Sequence, residues 1–205
     1  MRKALLPALL ATAAVLVSAC QGSSGGTSGT PTGSGGMNHG GMSTGAQISG
    51  KDLDKAFING MAPHHQAAIQ MAQAELKRGN NAQVKALAQS IVDDQTREIS
   101  QFQEISKRLF NTTPQLTMAG PSGSLMGVPI SMDMSKMAAE IDAAQDPDVM
   151  FLRMMIPHHA MAILMANEEA QRGSDEQLKV ISRSIISSQG KEIGQMQALL
   201  GSTGA

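Results

Sequence analysis

Two copies of one short motif occur in the sequence: Met61–Met71 reads M-A-P-H-H-Q-A-A-I-Q-M, and Met155–Met165 reads M-I-P-H-H-A-M-A-I-L-M. Each copy has a Met, a Pro, two adjacent His and a second Met at the same offsets, and the copies start 94 residues apart. Four of the five His in the chain lie in these copies. Imidazole and thioether groups both bind soft or borderline metal ions. The pair of motifs therefore predicts a metal site built by duplication.

The duplication extends well beyond the motif. The stretch from Phe57 to Gly79 matches Phe151 to Gly173 at many positions, and Gln95 and Glu98 recur later in the second copy. Apolar residues step by three or four in each copy, which predicts two helices per repeat. Two amphipathic hairpins bury their apolar faces best against each other. The expected fold is an all-α four-helix bundle made of two duplicated hairpins, about residues 50–110 and 146–200, with a long crossover between them.

Local signals place the helix ends. Ser49 and Asp52 resemble a capping box at the start of the first helix, and Asp146-Pro147-Asp148 is a strong start signal for the third. A further short helix, 133–144, is expected to strap across the bundle. Pro63 and Pro157 fall inside the helical pattern, where a Pro either kinks the helix or marks a restart. The first long helix is expected over about 49–78, and the second follows it and ends at about 110. The third is expected over about 146–172 and the fourth over about 175–200.

The N-terminus resembles a secretory signal peptide over residues 1–19. Arg2 and Lys3 precede a short apolar run, Leu5–Val17, which falls short of the roughly 20 residues of a membrane span. The sequence Val17-Ser18-Ala19-Cys20 looks like a bacterial lipobox, and Cys20 is the only Cys. Signal cleavage beside a chance Cys is the alternative. Lipidation of Cys20 would make the protein an extracytoplasmic lipoprotein, anchored by lipid on the periplasmic or cell-surface side of a membrane.

Residues 20–48 are rich in Gly, Ser and Thr, which is typical of a flexible tether. The folded domain is expected over 49–205. Within the tether, Met37-Asn38-His39-Gly40-Gly41-Met42 is either a chance occurrence or a mobile arm that collects metal. The net charge of −1 gives no reason to expect a nucleic-acid partner.

Polar residues on the second helix of each hairpin add to the metal hypothesis. Gln95 and Glu98, like Gln189 and Glu192, lie on otherwise apolar stripes, where an unpartnered polar group costs about 1–3 kcal/mol. The nearest partners are the His residues of the first helix, so the Glu side chains are expected to bind metal directly or to bond a ligating His. Spacing leaves open which His of each pair ligates. A purely structural His–Glu network is the alternative.

Thioether and imidazole donors together favour Cu(I), with Ag(I) as a mimic of the same softness. Zinc sites normally use His, Cys and carboxylate, and a di-iron bundle needs a Glu three residues before a His, which neither motif has. The crossover adds further thioethers, and Met132-x-Met134-x-x-Met137 resembles Met-rich copper motifs. Flexible apolar filler is the alternative for these residues, which are Met118, Met126, Met132, Met134 and Met137.

The chain resembles the DUF305 family, which carries F-x-x-x-M-x-P-H-H-x-x-A-x-x-M, often twice. Phe57–Met71 and Phe151–Met165 match that string at every specified position. The resemblance implies a ferritin-like bundle and, because some members resemble periplasmic copper-binding proteins, a copper site. The ligands it implies are Met61, His64, His65, Met71, Met155, His158, His159 and Met165.

The sequence thus predicts a copper-binding lipoprotein, not an enzyme, that sequesters copper or passes it to a partner protein. Two alternatives use the same residues. One is a metal-dependent redox enzyme in a ferritin-like bundle, and the other is a structural or interaction module of the cell envelope with His–Glu core networks.

Overall fold

The chain divides into two units, Met1–Ser43 and Thr44–Ala205. The structure, a computed structural model, describes residues 48–117, 124–125, 128–129, 133–134 and 136–203, all within the second unit. The predicted signal peptide, Cys20 and the tether with His39 lie outside the described residues, as do Met118, Met126 and Met132. These predictions stay predictions.

Five helices and one short strand pair are present in the described residues, and the predicted all-α four-helix bundle is confirmed. The helices are α1 (Lys51–Arg78), α2 (Ala82–Phe110), α3 (Met137–Ala143), α4 (Pro147–Arg172) and α5 (Glu176–Thr203). Strands β1 (Ser124–Leu125) and β2 (Val128–Pro129) pair antiparallel within the crossover between the hairpins.

Two helix starts show why the local sequence signals succeed or fail. At α4, Asp146 accepts a hydrogen bond from the Val149 amide at 3.1 Å, with Pro147 at the first helical position, as its sequence predicts. At α1 the predicted capping box of Ser49 and Asp52 is wrong. Gly50 is the N-cap, with φ of 61° and no capping side chain. Its amide instead donates to the Arg172 carbonyl at 3.0 Å, so a tertiary contact replaces the local cap.

Pro63 and Pro157 lie inside continuous helices. The alternative of a helix restart at each Pro is therefore wrong. A Pro removes one backbone hydrogen bond, and the buried faces of α1 and α4 offset this cost by packing on both sides of the interruption.

Helices α1 and α4 run antiparallel at the centre of the bundle. The start of α1 meets the end of α4 through Gly50 and Arg172, and the turn after α1 meets the first turn of α4 at Asp148. The core forms two clusters, and each combines one end of α1 with the opposite end of α4. Helices α2 and α5 complete the hairpins on the outside.

Helix α3 packs against α1 and α4, as expected for a strap, but it begins at Met137 rather than at residue 133. Met134, Met137 and Ile141 are buried in one of the core clusters. Met134 and Met137 thus pack in the same apolar cluster as Met71 and Met155.

Helix α4 is long and apolar enough to cross a membrane, with mean hydropathy 1.4 over its most apolar window, but 56% of that window is buried inside the bundle. Its two motif His and its Met residues face the core. This composition fits the central helix of a bundle.

The turn glycines Gly79 and Gly173 have no room for a side chain. A Cβ at Gly79 would overlap the Glu75 carboxyl group and lie 2.8 Å from the Glu75 carbonyl oxygen, and Gly173 stands in the same relation to Glu169. We expect Gly79→Ala to destabilise the fold by about 1–3 kcal/mol through this overpacking, measured by urea unfolding.

Gly194 of α5 is the matched control, because a Cβ there meets nothing within 4 Å. Gly194→Ala should stabilise the protein by about 0.5–1 kcal/mol, as usual for an exposed helix interior. Equal effects of the two substitutions would contradict the proposed packing of Glu75 over Gly79.

Candidate metal centre

The antiparallel packing of α1 and α4 brings the two motifs into contact at their His residues. The rings of His64 and His158 lie face to face with their centroids 3.7 Å apart and their planes tilted by 35°. Within each motif the adjacent rings are 6.4 Å apart, both for His64–His65 and for His158–His159. The two copies thus have the same local geometry and meet about an approximate two-fold axis at the His64–His158 contact.

The His64 and His158 rings, which meet at the centre, are the inner His residues, and His65 and His159 are the outer ones. Each outer His is bonded to a Glu of the same hairpin. His65 Nε2 lies 2.7 Å from Glu98 Oε2, and His159 Nε2 lies 2.7 Å from Glu192 Oε2. A carboxylate only accepts hydrogen bonds, so this contact fixes the ring hydrogen on Nε2. In the neutral form of His65 and of His159 the lone pair is then on Nδ1. The Gln residues one turn earlier, Gln95 and Gln189, are buried.

Six buried ring nitrogens have no hydrogen-bond partner among the described residues: both nitrogens of His64 and of His158, and Nδ1 of His65 and of His159. All four His are at most 1% exposed. An unsatisfied buried polar group costs about 1–3 kcal/mol, and most such groups in native proteins are paired. Repetition of the same unpaired nitrogens in both copies points to a ligand that takes their lone pairs.

Burial also keeps the inner His residues neutral. Loss of solvent, reinforced by neighbouring His residues, holds the pKa of His64 well below its usual value of 6.5, and the same causes act on His158. A neutral imidazole has a lone pair for a metal ion, whereas a protonated one has none. The site is therefore ready for metal at neutral pH without loss of a proton.

The four motif Met residues are fully buried, and they are grouped across the two repeats. Met61 shares a core cluster with Met165, and Met71 shares the other with Met155. Met61 and Met71 are ten residues apart, or about 15 Å along α1, and their side chains lean the same way along the helix. Each end of the His contact therefore has one thioether from each repeat.

In the described part of the chain, no three side chains from His, Cys, Asp and Glu converge as a metal ion would need. The Glu carboxylates nearest the His residues already accept their hydrogen bonds. A site for a hard ion is thus not formed in this conformation. The amide oxygens of Gln95 and Gln189 are also unpaired within the described residues, beside the free imidazole nitrogens. Imidazole nitrogens and thioether sulfurs are the donor set that soft Cu(I) or Ag(I) prefers.

Sequence reasoning missed two buried features of the bundle. Met196 takes the place in the second repeat that Phe102 has in the first, where the Phe102 ring lies 5.7 Å from the His65 ring. Met196 is fully buried in the cluster that contains Met155. Glu75 and Glu169 are also fully buried, and their signal was visible, because both interrupt an apolar stripe at the same repeat offset.

The DUF305 sequence profile, described as a domain of unknown function, matches residues 9–106 and 111–200. This chain belongs to the DUF305 family. The match covers both repeats, in agreement with the duplication read from the motifs.

Solved structures show the same architecture. The copper protein CopM in its Cu(II)-bound form is 34% identical, with TM-score 0.63, and the alignment covers 73% of this chain and 96% of CopM. CopM has also been solved in Cu(I)-bound, Ag-bound and apo forms. A DUF305 protein from Streptomyces coelicolor, described as secreted, is 25% identical with TM-score 0.63, over 75% of this chain and 93% of its own.

One curated relative, the uncharacterised protein L153 of Acanthamoeba polyphaga mimivirus, is 42% identical over 52 residues. The match spans 25% of this chain and about a third (34%) of the viral protein.

The inner and outer His residues should differ in their effect on the metal-free protein. The unfolded chain takes up protons on His64 and His158 below pH 6.5, and the folded chain does not. The contribution of these two His residues to stability should therefore fall as the pH drops below 6.5, by about 1.4 kcal/mol per pH unit for each His. The variant H64L/H158L should lose this slope and be at least as stable as the native protein, measured by urea unfolding with chelator present.

The matched variant H65L/H159L removes the donors to Glu98 and Glu192. It should destabilise the protein by about 1–3 kcal/mol for each carboxylate that loses its partner. If H64L/H158L proves the more damaging of the two, the inner His residues have partners and are not free donors.

Proposed function

We propose that this protein binds copper as Cu(I) through the His and Met residues of its two motifs, and that it serves copper homeostasis outside the cytoplasm. The observation that carries the proposal is the set of six buried imidazole nitrogens without partners, beside four buried thioethers. The similarity to CopM, which has been solved with Cu(I), Cu(II) and Ag, supports copper as the metal.

The geometry favours two equivalent centres rather than one. The proposed donors of the first centre are Met61, His64 and His65 of α1 with Met165 of α4. Those of the second are Met155, His158 and His159 of α4 with Met71 of α1. His64 and His158 stack face to face at 3.7 Å, so a small rotation of either ring would turn a nitrogen toward its own centre.

Glu98 and Glu192 act as positioning residues in this proposal. Each accepts the Nε2 hydrogen of the outer His at 2.7 Å, which fixes the ring tautomer and its orientation. A carboxylate in this place also makes the opposite nitrogen a stronger donor. Metal can then bind through Nδ1 without loss of the hydrogen bond.

Burial of the donors favours sequestration over rapid exchange. The proposed ligands are at most 1% exposed, so copper can enter or leave only when the helices move apart. Delivery of copper to a partner protein would require such an opening. The predicted lipid anchor at Cys20 would place this store on the periplasmic or cell-surface side of a membrane. The Met37–Met42 segment of the tether would collect metal and pass it to the domain.

A structural role for the same residues has one observation in its favour. The His65–Glu98 and His159–Glu192 bonds are complete without metal, as expected of a network that only holds the hairpins together. This alternative does not explain why His64 and His158 are buried without partners. A redox enzyme needs substrate access to the metal, which this closed core does not provide in the described residues.

Titration of Cu(I) against a competing chelator tests the proposal, with Zn(II) as the control metal. The full chain should bind two equivalents of Cu(I) and bind Zn(II) far more weakly. The variants M61L/M165L and M71L/M155L remove one thioether pair each while keeping the apolar volume. Each should lose about one equivalent or weaken it at least tenfold.

The variant M134L/M137L is the matched control, since it removes two equally buried thioethers of the strap. Its copper binding should equal that of the native chain. Should all three variants bind alike, the motif Met residues are not ligands and the two proposed centres are wrong. Should the native chain bind no copper, the buried His residues are structural and the proposal fails.

A further inference from the structure

A second pair of buried polar clusters lies at the two ends of α1 and α4, away from the His residues. At one end, Asp148 of α4 accepts hydrogen bonds from the amides of Asn80 and Asn81, at 3.0 and 2.9 Å, in the turn of the first hairpin. At the other end, Asp54 of α1 accepts from the Ser174 amide at 2.7 Å and from its hydroxyl at 2.5 Å, in the turn of the second hairpin. Each repeat thus caps the turn of the other.

A Glu side chain lies over each of these Asp residues. Glu75 and Glu169 are fully buried, and each folds over the turn glycine of its own hairpin. None of their carboxyl oxygens receives a hydrogen bond from an N–H or O–H of the described residues. The partner within reach is a carboxyl group, Asp148 for Glu75 and Asp54 for Glu169. Two carboxylates cannot bond to each other unless one of them carries a proton.

We propose that each Glu–Asp pair is a buried proton-binding site, with the proton on the Glu and the negative charge on the Asp, and that the two sites latch the repeats together. This assignment is independent of the copper proposal. The protonated Glu75 donates to Asp148, and the protonated Glu169 donates to Asp54. Each buried Glu then has a partner, which its unprotonated form lacks.

The local fields explain why the proton resides on the Glu. Asp148 and Asp54 lie in the first turns of α4 and α1, where the helix dipole and the turn amides favour a negative charge. Glu75 and Glu169 lie in the last turns of the same helices, where a negative charge is disfavoured.

The surrounding charges act in the same direction. Burial, followed by the Asp148 carboxyl group, raises the pKa of Glu75 to about 8, with Asp146 adding to the shift and Lys85 opposing it. Burial and Asp54 raise the pKa of Glu169 to about 8, with Asp175 adding and Lys179 opposing. Both Glu residues are therefore protonated in the folded protein at neutral pH.

The latch makes stability depend on pH in a defined window. Between about pH 4.5 and about pH 8, the folded protein holds a proton on each Glu that the unfolded chain has released. The contribution of the two latch sites to stability is therefore greatest below that window and falls as the pH rises through it. The unfolding equilibrium constant should rise about tenfold per pH unit for each site.

The variants Glu75→Gln and Glu169→Gln test the proposal in the metal-free full chain. A Gln amide keeps the shape of a protonated Glu and can donate to Asp148 or Asp54 at any pH. The unfolding equilibrium constant is measured by urea unfolding from pH 5 to 8. For each pH unit, we expect it to rise about a hundredfold more in the native chain than in the double variant. Compared with each single variant, the native chain should show an extra rise of about tenfold per pH unit.

Glu104→Gln is the matched control, because Glu104 is exposed on α2, and it should keep the native slope. The titration of the buried His residues is common to all these variants and cancels in the comparison. If the double variant keeps the native slope, the proposal is overturned.

A direct measurement guards against a variant that does not fold. In the native protein, carbon NMR of the Glu side-chain carboxyl groups should show two resonances that titrate near pH 8. Titration of every Glu near pH 4.5 would also overturn the proposal. Because this experiment needs no copper, its failure leaves the copper proposal untouched.

Discussion

The contact between α1 and α4 is the constraint on which the rest of the structure depends. Both helices carry several polar residues on the face that the bundle buries, so four His, two Glu and two Asp residues are removed from water together. Such a face is stable only if its polar groups find partners. The antiparallel arrangement supplies partners for the two Asp residues across the repeat boundary, and the outer His residues bond to Glu residues of their own hairpins. The inner His nitrogens are left without partners among the described residues.

The bundle buries two kinds of polar group. The Asp carboxylates accept hydrogen bonds, whereas the inner His nitrogens have no partner among the described residues. Asp54 and Asp148 hold turns in place, because both oxygens of each carboxylate accept a hydrogen bond from a turn amide or from the Ser174 hydroxyl. His64 and His158 make no such hydrogen bonds within the described residues, so their burial lowers the stability of the fold without holding any element in place. Polar groups that destabilise a fold in this way are common at functional sites.

The bundle and its helices could be predicted from the sequence because periodicity and duplication are local, repeated signals. The start of α4 was predictable for the same reason, since Asp146 and Pro147 act within one turn. The start of α1 was not, because Gly50 is held by the distant Arg172 rather than by Ser49. The alternative of a helix restart at each Pro was also wrong. Helix continuity at Pro63 depends on tertiary packing, which cannot be read from the local sequence.

For the candidate site, the sequence indicated which residues share a face but not how two faces combine. The pairing of Met61 with Met165, and of Met71 with Met155, follows from the antiparallel register of α1 and α4. Spacing within one helix gives no information on that register. The division of each His pair into a Glu-bonded and a free member likewise required the position of α2 and α5.

The exchange of partners between the repeats has a consequence for the origin of the chain. Each hairpin holds only half of either thioether pair, and each turn is capped by an Asp from the other hairpin. A single hairpin is therefore incomplete, but two identical hairpins related by a two-fold axis would complete each other. The architecture is that of a symmetric homodimer whose two subunits have been joined by the crossover into one chain. Once joined, the copies were free to diverge, and the replacement of Phe102 by Met196 at equivalent positions shows where that symmetry has been lost.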